Sequence, residues 1–180
     1  MTIANYITLS RIGLIIPVLI LVSYQENFYN WIALILFIVA GITDHVDGFI
    51  ARRTGTTTQL GAILDLIADK LLICVPLIFL LSFFDNLTLV FPVILIISRE
   101  LIVSALRQFL AEKQGNNPIK VSFIAKSKTT VQITALSFLI ISPNFGEYFY
   151  MLTIVLFWIA AYISIHSLLS YIKSYKYLIK

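Results

Sequence analysis

Charge, cysteine and histidine are all scarce in this sequence, and each scarcity excludes something. Only 12% of the 180 residues are charged, whereas 59% are hydrophobic. A soluble domain rarely exceeds half apolar, so the composition points to a membrane protein. The single cysteine, Cys74, lies inside an apolar run. It rules out an intrachain disulfide framework and a zinc site built from cysteines. The first ten residues, Met1 to Ser10, contain no basic residue. A cleaved signal would carry one, so the first apolar segment reads as a retained helix. Internal repeats and low-complexity tracts are also absent. The net charge of +4 is modest, and no nucleic-acid partner is expected.

What the chain does have is long apolar runs. Six can be drawn, roughly over residues 6–24, 31–52, 60–83, 88–111, 122–141 and 148–172. Each approaches the ~20 residues that cross a bilayer. The expected fold is therefore all-α, a polytopic membrane protein of six transmembrane helices forming one domain over residues 1–180. Basic residues fall on alternate connections. Arg52 and Arg53 stand at the second-to-third connection, Lys113 and Lys120 at the fourth-to-fifth, and Lys173, Lys176 and Lys180 form the tail. The other three connections carry Glu26, Asp85 and Glu147 and no Lys or Arg. The excess of positive charge on cytoplasmic loops then places both termini in the cytoplasm. Tyr6, Tyr24, Trp31, Tyr148 and Tyr171, near stretch ends, read as interfacial belts.

Several ionisable residues remain inside these stretches: Asp44, Asp47, Asp65, Asp69, Lys70, Arg99, Glu100, Arg107, Lys126 and Lys128. Each charge at a helix centre costs roughly 2.5–3.5 kcal/mol on insertion scales, so they must be near water, paired or metal-bound. Their depths agree. At a rise of ~1.5 Å per residue, Asp44, Asp47, Asp65, Asp69, Arg107, Lys126 and Lys128 all lie roughly 8–14 Å from the cytoplasmic ends of their helices. Only Arg99 is deeper. Four helices thus bring charge to one layer, as in a polar cavity open to the cytoplasm.

Spacing adds a second constraint. Asp44 and Asp47 stand at i, i+3, and Asp65 and Asp69 at i, i+4, so each pair shares a helix face. Four carboxylates converging in a low dielectric repel strongly. Two divalent cations would reverse that, and an oxygen-only ligand set suits Mg²⁺ or Mn²⁺. The bland alternative is a set of Asp–Lys and Asp–Arg pairs that hold helices together.

Asp44-His45-Val46-Asp47-Gly48-Phe49-Ile50-Ala51-Arg52, then eight residues, then Gly61-Ala62-Ile63-Leu64-Asp65-Leu66-Ile67-Ala68-Asp69, resembles the defining motif of the CDP-alcohol phosphotransferases, D-x2-D-G-x2-A-R-x8-G-x3-D-x3-D. All eight fixed positions are present. Three further segments are similar to the bacterial branch that makes phosphatidylglycerol phosphate: Asn5-x2-Thr8-x2-Arg11 followed by Pro17, Arg99 to Arg107, and Lys126-x-Lys128-Thr129-Thr130. Two departures are Leu66, where that branch usually has Pro, and Ala125, where it often has Gly. Neither removes a ligand.

The resemblance implies a reaction between CDP-diacylglycerol and sn-glycerol 3-phosphate, giving phosphatidylglycerol phosphate and CMP. It implies two divalent cations on Asp44, Asp47, Asp65 and Asp69, with Asp69 also the general base. CDP would contact Asp44, Gly48, Arg52 and Gly61. The two glycines could equally serve close helix packing, and Arg52 could be an ordinary anchor at the inner face. The acceptor phosphate would meet Arg107, Lys126, Lys128, Arg99 and Thr8, with Arg11 bordering the site. Arg99 could instead pair with a carboxylate, and Glu100 could orient it. A homodimer in a bacterial cytoplasmic (inner) membrane, with the site facing the cytoplasm, is the expected setting. Cardiolipin and phosphatidylserine synthases of the same family, and an ion or proton transporter, are the competing readings.

Overall fold

The computed structural model describes the backbone of residues 3–54, 59–114 and 123–179, and side chains at 5–43, 61, 63–109 and 128–173. Among these residues there are six α-helices and no strand. They are α1 (Ile3–Ser23), α2 (Asn27–Thr54), α3 (Gln59–Leu81), α4 (Leu87–Gln114), α5 (Phe123–Ile141) and α6 (Glu147–Ile179), with a 3₁₀ turn at Ser142–Asn144 between the last two. Each expected apolar stretch coincides with one helix, and α6 continues past the expected end at 172. Among the described residues three segments are long and apolar enough to cross a membrane: Asn5–Ser23, Leu87–Phe109 and Glu147–Lys173. Asn27–Thr43 is apolar but shorter over its described length. Much of the exposed surface is apolar, including Ile16, Ile20, Ile35, Ile94, Val155 and Tyr162. In water such a surface would drive aggregation; against lipid chains it is at no disadvantage.

The chain divides into two compact units, Met1–Asp85 with Leu136–Thr153, and Asn86–Ala135 with Ile154–Lys180. In the first, α1 packs on α2 and α3. The buried residues of α1 are Asn5, Thr8, Arg11, Ile15, Val18 and Val22. Steps of three and four keep them on one helical stripe. The N-terminal half of that stripe is polar and the other half apolar. On α2 the buried stripe is Asn30, Ala33, Leu34, Phe37 and Ala40; on α3 it is Ala68, Leu72, Ile73, Leu77 and Leu80. Small residues on these stripes let backbones approach. In the second unit, α4 buries Leu89, Val93, Ile96, Arg99, Glu100 and Val103, and α6 buries Phe157, Ala160, Ala161, Ser164 and Ser167.

Helix ends follow local chemistry. Asn86 precedes α4, and its Oδ1 accepts from the Thr88 backbone N–H at 2.9 Å and from the Thr88 hydroxyl. This satisfies an amide that the helix itself leaves unpaired. Gly146 adopts φ +78° immediately before α6, a left-handed turn that a side chain would oppose. Pro17, Pro76 and Pro92 lie inside α1, α3 and α4, as membrane helices tolerate.

The 3₁₀ turn is tied to the start of α2. Asn30 Nδ2 donates to Asn144 Oδ1 at 2.8 Å, and Asn144 Nδ2 donates to the Asn27 carbonyl at 3.1 Å. Asn30 is buried, so removing its partner strands a polar group, at about 1–3 kcal/mol. Asn144→Ala is expected to lower stability in detergent by that margin, read as a drop in thermal midpoint, and leave turnover per folded molecule unchanged. A coupled loss of turnover would show that the tie reaches the chemistry.

Candidate active site

Asp65 and Asp69 lie near the start of α3, four residues apart on one face, each with about half of its side chain exposed. Arg11 reaches them from α1. Its Nη1 is 3.5 Å from Asp65 Oδ1 and 3.5 Å from Asp69 Oδ1, and the side chain is fully buried. A guanidinium cannot shed its proton, and a buried charge needs a partner. The two carboxylates supply that partner. Thr8, one turn before Arg11 on the same stripe, is buried as well. Gly61 stands in the first turn of α3 and is half-buried.

Asp44, Asp47, Gly48 and Arg52 fall within α2, and Lys126 falls within α5. Their side chains lie outside the described residues. Among the described residues no group of three or more His, Cys, Asp or Glu gathers. Asp65 and Asp69 nonetheless fit a divalent cation. They are hard oxygen donors, their surface is half open, and both already direct an oxygen at one positively charged nitrogen.

A second polar cluster lies in the other unit. Glu100 of α4 is its centre. Its Oε1 accepts from the Lys128 ammonium of α5, from Gln132 Nε2 at 3.3 Å and from Arg99 Nη1 at 3.5 Å. Arg99 also donates through Nη2 to Ser167 Oγ at 3.0 Å and through Nε to the Ser164 carbonyl at 3.3 Å. Gln132 Nε2 reaches Ser164 Oγ at 3.2 Å. All six residues are buried. Arg107 follows two turns after Glu100 on the same face of α4. It is half-buried and makes no ion pair or hydrogen bond with another described residue.

The expected site residues thus separate. Asp65 and Asp69 are brought together on Arg11. Arg99 and Lys128, expected to meet the acceptor phosphate, are joined through Glu100. Gln132, Ser164 and Ser167 were missed by sequence reasoning. The available signal was a glutamine one turn beyond Lys128, and two serines at i, i+3 in an otherwise apolar span, where polar groups seek each other. Arg11 was expected only to border the site, although three polar residues at steps of three in an apolar helix already marked a buried face.

Residues 1–166 match the family model described as CDP-alcohol phosphatidyltransferase. The CDP-diacylglycerol–glycerol-3-phosphate 3-phosphatidyltransferases of Escherichia coli (strain K12) and Shigella flexneri serotype 5b (strain 8401) are each 37% identical to this chain over 174 residues, covering 96% of this chain and 93% of the relative. Sequence, motif and helical architecture agree, and the chain belongs to the CDP-alcohol phosphatidyltransferase family.

Proposed function

We propose that this chain transfers a phosphatidyl group from CDP-diacylglycerol to sn-glycerol 3-phosphate, releasing phosphatidylglycerol phosphate and CMP. The observation that carries this reading is the Asp65–Asp69 pair converging on Arg11, in a chain with relatives of that activity over nearly its whole length. The acceptor hydroxyl oxygen forms a bond to the phosphorus that carries diacylglycerol. The bond from that phosphorus to the CMP oxygen breaks, and Asp69 takes the hydroxyl proton. Asp44, Asp47, Asp65 and Asp69 would hold two divalent cations, Mg²⁺ or Mn²⁺. When bound, these neutralise the pyrophosphate and stabilise the attacking and leaving oxygens. Gly48, Gly61 and Arg52 are assigned to CDP.

The acceptor phosphate is a dianion and needs cations of its own. Arg107 and Lys126 are assigned to it directly. Lys128 and Arg99 add positive charge held in place by Glu100, and Thr8 contributes a hydroxyl. The family resemblance and the charge asymmetry support one catalytic domain of six spans. They also support cytoplasmic termini, a site in the cytoplasmic leaflet of a bacterial inner membrane, and a homodimer.

Purified protein in detergent, given CDP-diacylglycerol, a panel of acceptors, and Mg²⁺ or Mn²⁺, tests the reaction. Metal-dependent CMP release with sn-glycerol 3-phosphate is expected. Release only with serine or phosphatidylglycerol would move the chain to another activity of the family. Arg107→Ala is expected to raise the apparent KM for sn-glycerol 3-phosphate about tenfold or more, with a smaller change for the lipid, because a lost charge-assisted bond is worth roughly 1.5–3 kcal/mol. Equal effects on both substrates would refute a phosphate contact.

A further inference from the structure

Arg11 carries more charge than a bordering residue needs. It is fully buried, and its charge is permanent at any working pH. It stands at equal distance, 3.5 Å, from one oxygen of each α3 carboxylate. The buried stripe of α1 fixes it there, with Thr8 one turn earlier and Ile15 one turn later also inside. A divalent cation on the same carboxylates would sit beside this fixed positive charge, and like charges a few ångströms apart repel, here only partly screened because the guanidinium is buried while about half of each carboxylate meets solvent.

We propose that Arg11 is a resident counter-ion that competes with divalent metal for Asp65 and Asp69. It stabilises the metal-free protein by compensating the two carboxylates, and it weakens metal binding by the same charge. The inference rests on the metal role given to Asp65 and Asp69 above, and it adds an opposing cation to that role. A residue that merely packed between α1 and α3 would have one effect only: its loss would lower both stability and metal affinity. A competing counter-ion gives the two quantities opposite signs.

The test uses the full chain in detergent without substrates. Free Mn²⁺ is titrated by electron paramagnetic resonance against wild type, Arg11→Met, Arg11→Gln and Arg11→Lys, and thermal midpoints are read with and without Mn²⁺. Both neutral variants are expected to bind Mn²⁺ about tenfold tighter than wild type, from the loss of one nearby positive charge. Their metal-free midpoints should fall, and saturating Mn²⁺ should raise them by more than it raises wild type. Arg11→Lys should keep near-wild-type affinity. A folded neutral variant that binds Mn²⁺ no tighter than wild type overturns the proposal. If Arg11→Met does not fold, Arg11→Gln carries the same comparison. Failure of both to fold even with Mn²⁺ present also overturns it, since added cation should replace the lost charge. CMP release by wild type is measured separately. Tighter Mn²⁺ binding by the neutral variants of a chain that transfers nothing would refute the reaction and leave the role of Arg11 standing.

Discussion

Asp65→Ala is expected to lower CMP release by about a thousandfold or more, which is roughly 4 kcal/mol of lost transition-state stabilisation at 1.36 kcal/mol per decade. Asp44→Ala, Asp47→Ala and Asp69→Ala should do the same. The size follows from the work assigned to these carboxylates. Holding cations against a pyrophosphate supplies charge stabilisation worth several kcal/mol, and loss of one ligand weakens all of it. The fold should survive, for a reason visible in the structure. Arg11 contacts both Asp65 and Asp69, so deleting one carboxylate leaves the buried guanidinium a partner. The expected pattern is therefore dead enzyme with a nearly unchanged thermal midpoint. Activity above about a tenth of wild type in Asp65→Ala, less than 1.4 kcal/mol of loss, would refute the metal role proposed for Asp65.

Glu100→Gln should behave in the opposite way, as a stability variant first. Among the described residues Glu100 is the carboxylate bonded to both Arg99 and Lys128, and all three side chains are buried. Neutralising it removes the anion that these two buried cations share. Breaking a buried pair from one side costs about 3–5 kcal/mol, far more than an exposed pair is worth. The thermal midpoint in detergent and the yield of folded protein should both drop sharply. Adding Lys128→Met removes one of the two cations, so the double variant should recover part of the loss; that non-additivity identifies the pair. Unchanged stability in Glu100→Gln would mean that water, not the carboxylate, solvates these cations.

These two clusters show where sequence reading works and where it stops. Helix positions were legible because apolar runs of membrane length leave few other structures available, and every expected stretch became a helix. The face shared by Asp65 and Asp69 was legible from spacing alone. The place of Glu100 was not. Its partners are 28 and 32 residues away on α5, and spacing along one helix does not report how neighbouring helices are rotated. Arg99 was read as deeper than the other cations, with pairing to a carboxylate left open. Its bonds to Glu100, Ser164 and Ser167 now give that depth a physical reason. Arg11 was under-read for a related cause: α1 is apolar on nearly every side, so hydrophobic pattern gave it no inward face, and only Asn5 and Thr8 at steps of three did.

The amide tie between Asn30 and Asn144 also sets a clock. The two residues are 114 positions apart, and synthesis proceeds at roughly 5–20 residues per second. Asn30 therefore waits on the order of 6–23 s for its partner to be made. During that interval the start of α2 holds an amide that its final neighbour cannot yet satisfy. The tie therefore cannot close before residue 144 has been made, when most of the first unit is already synthesised.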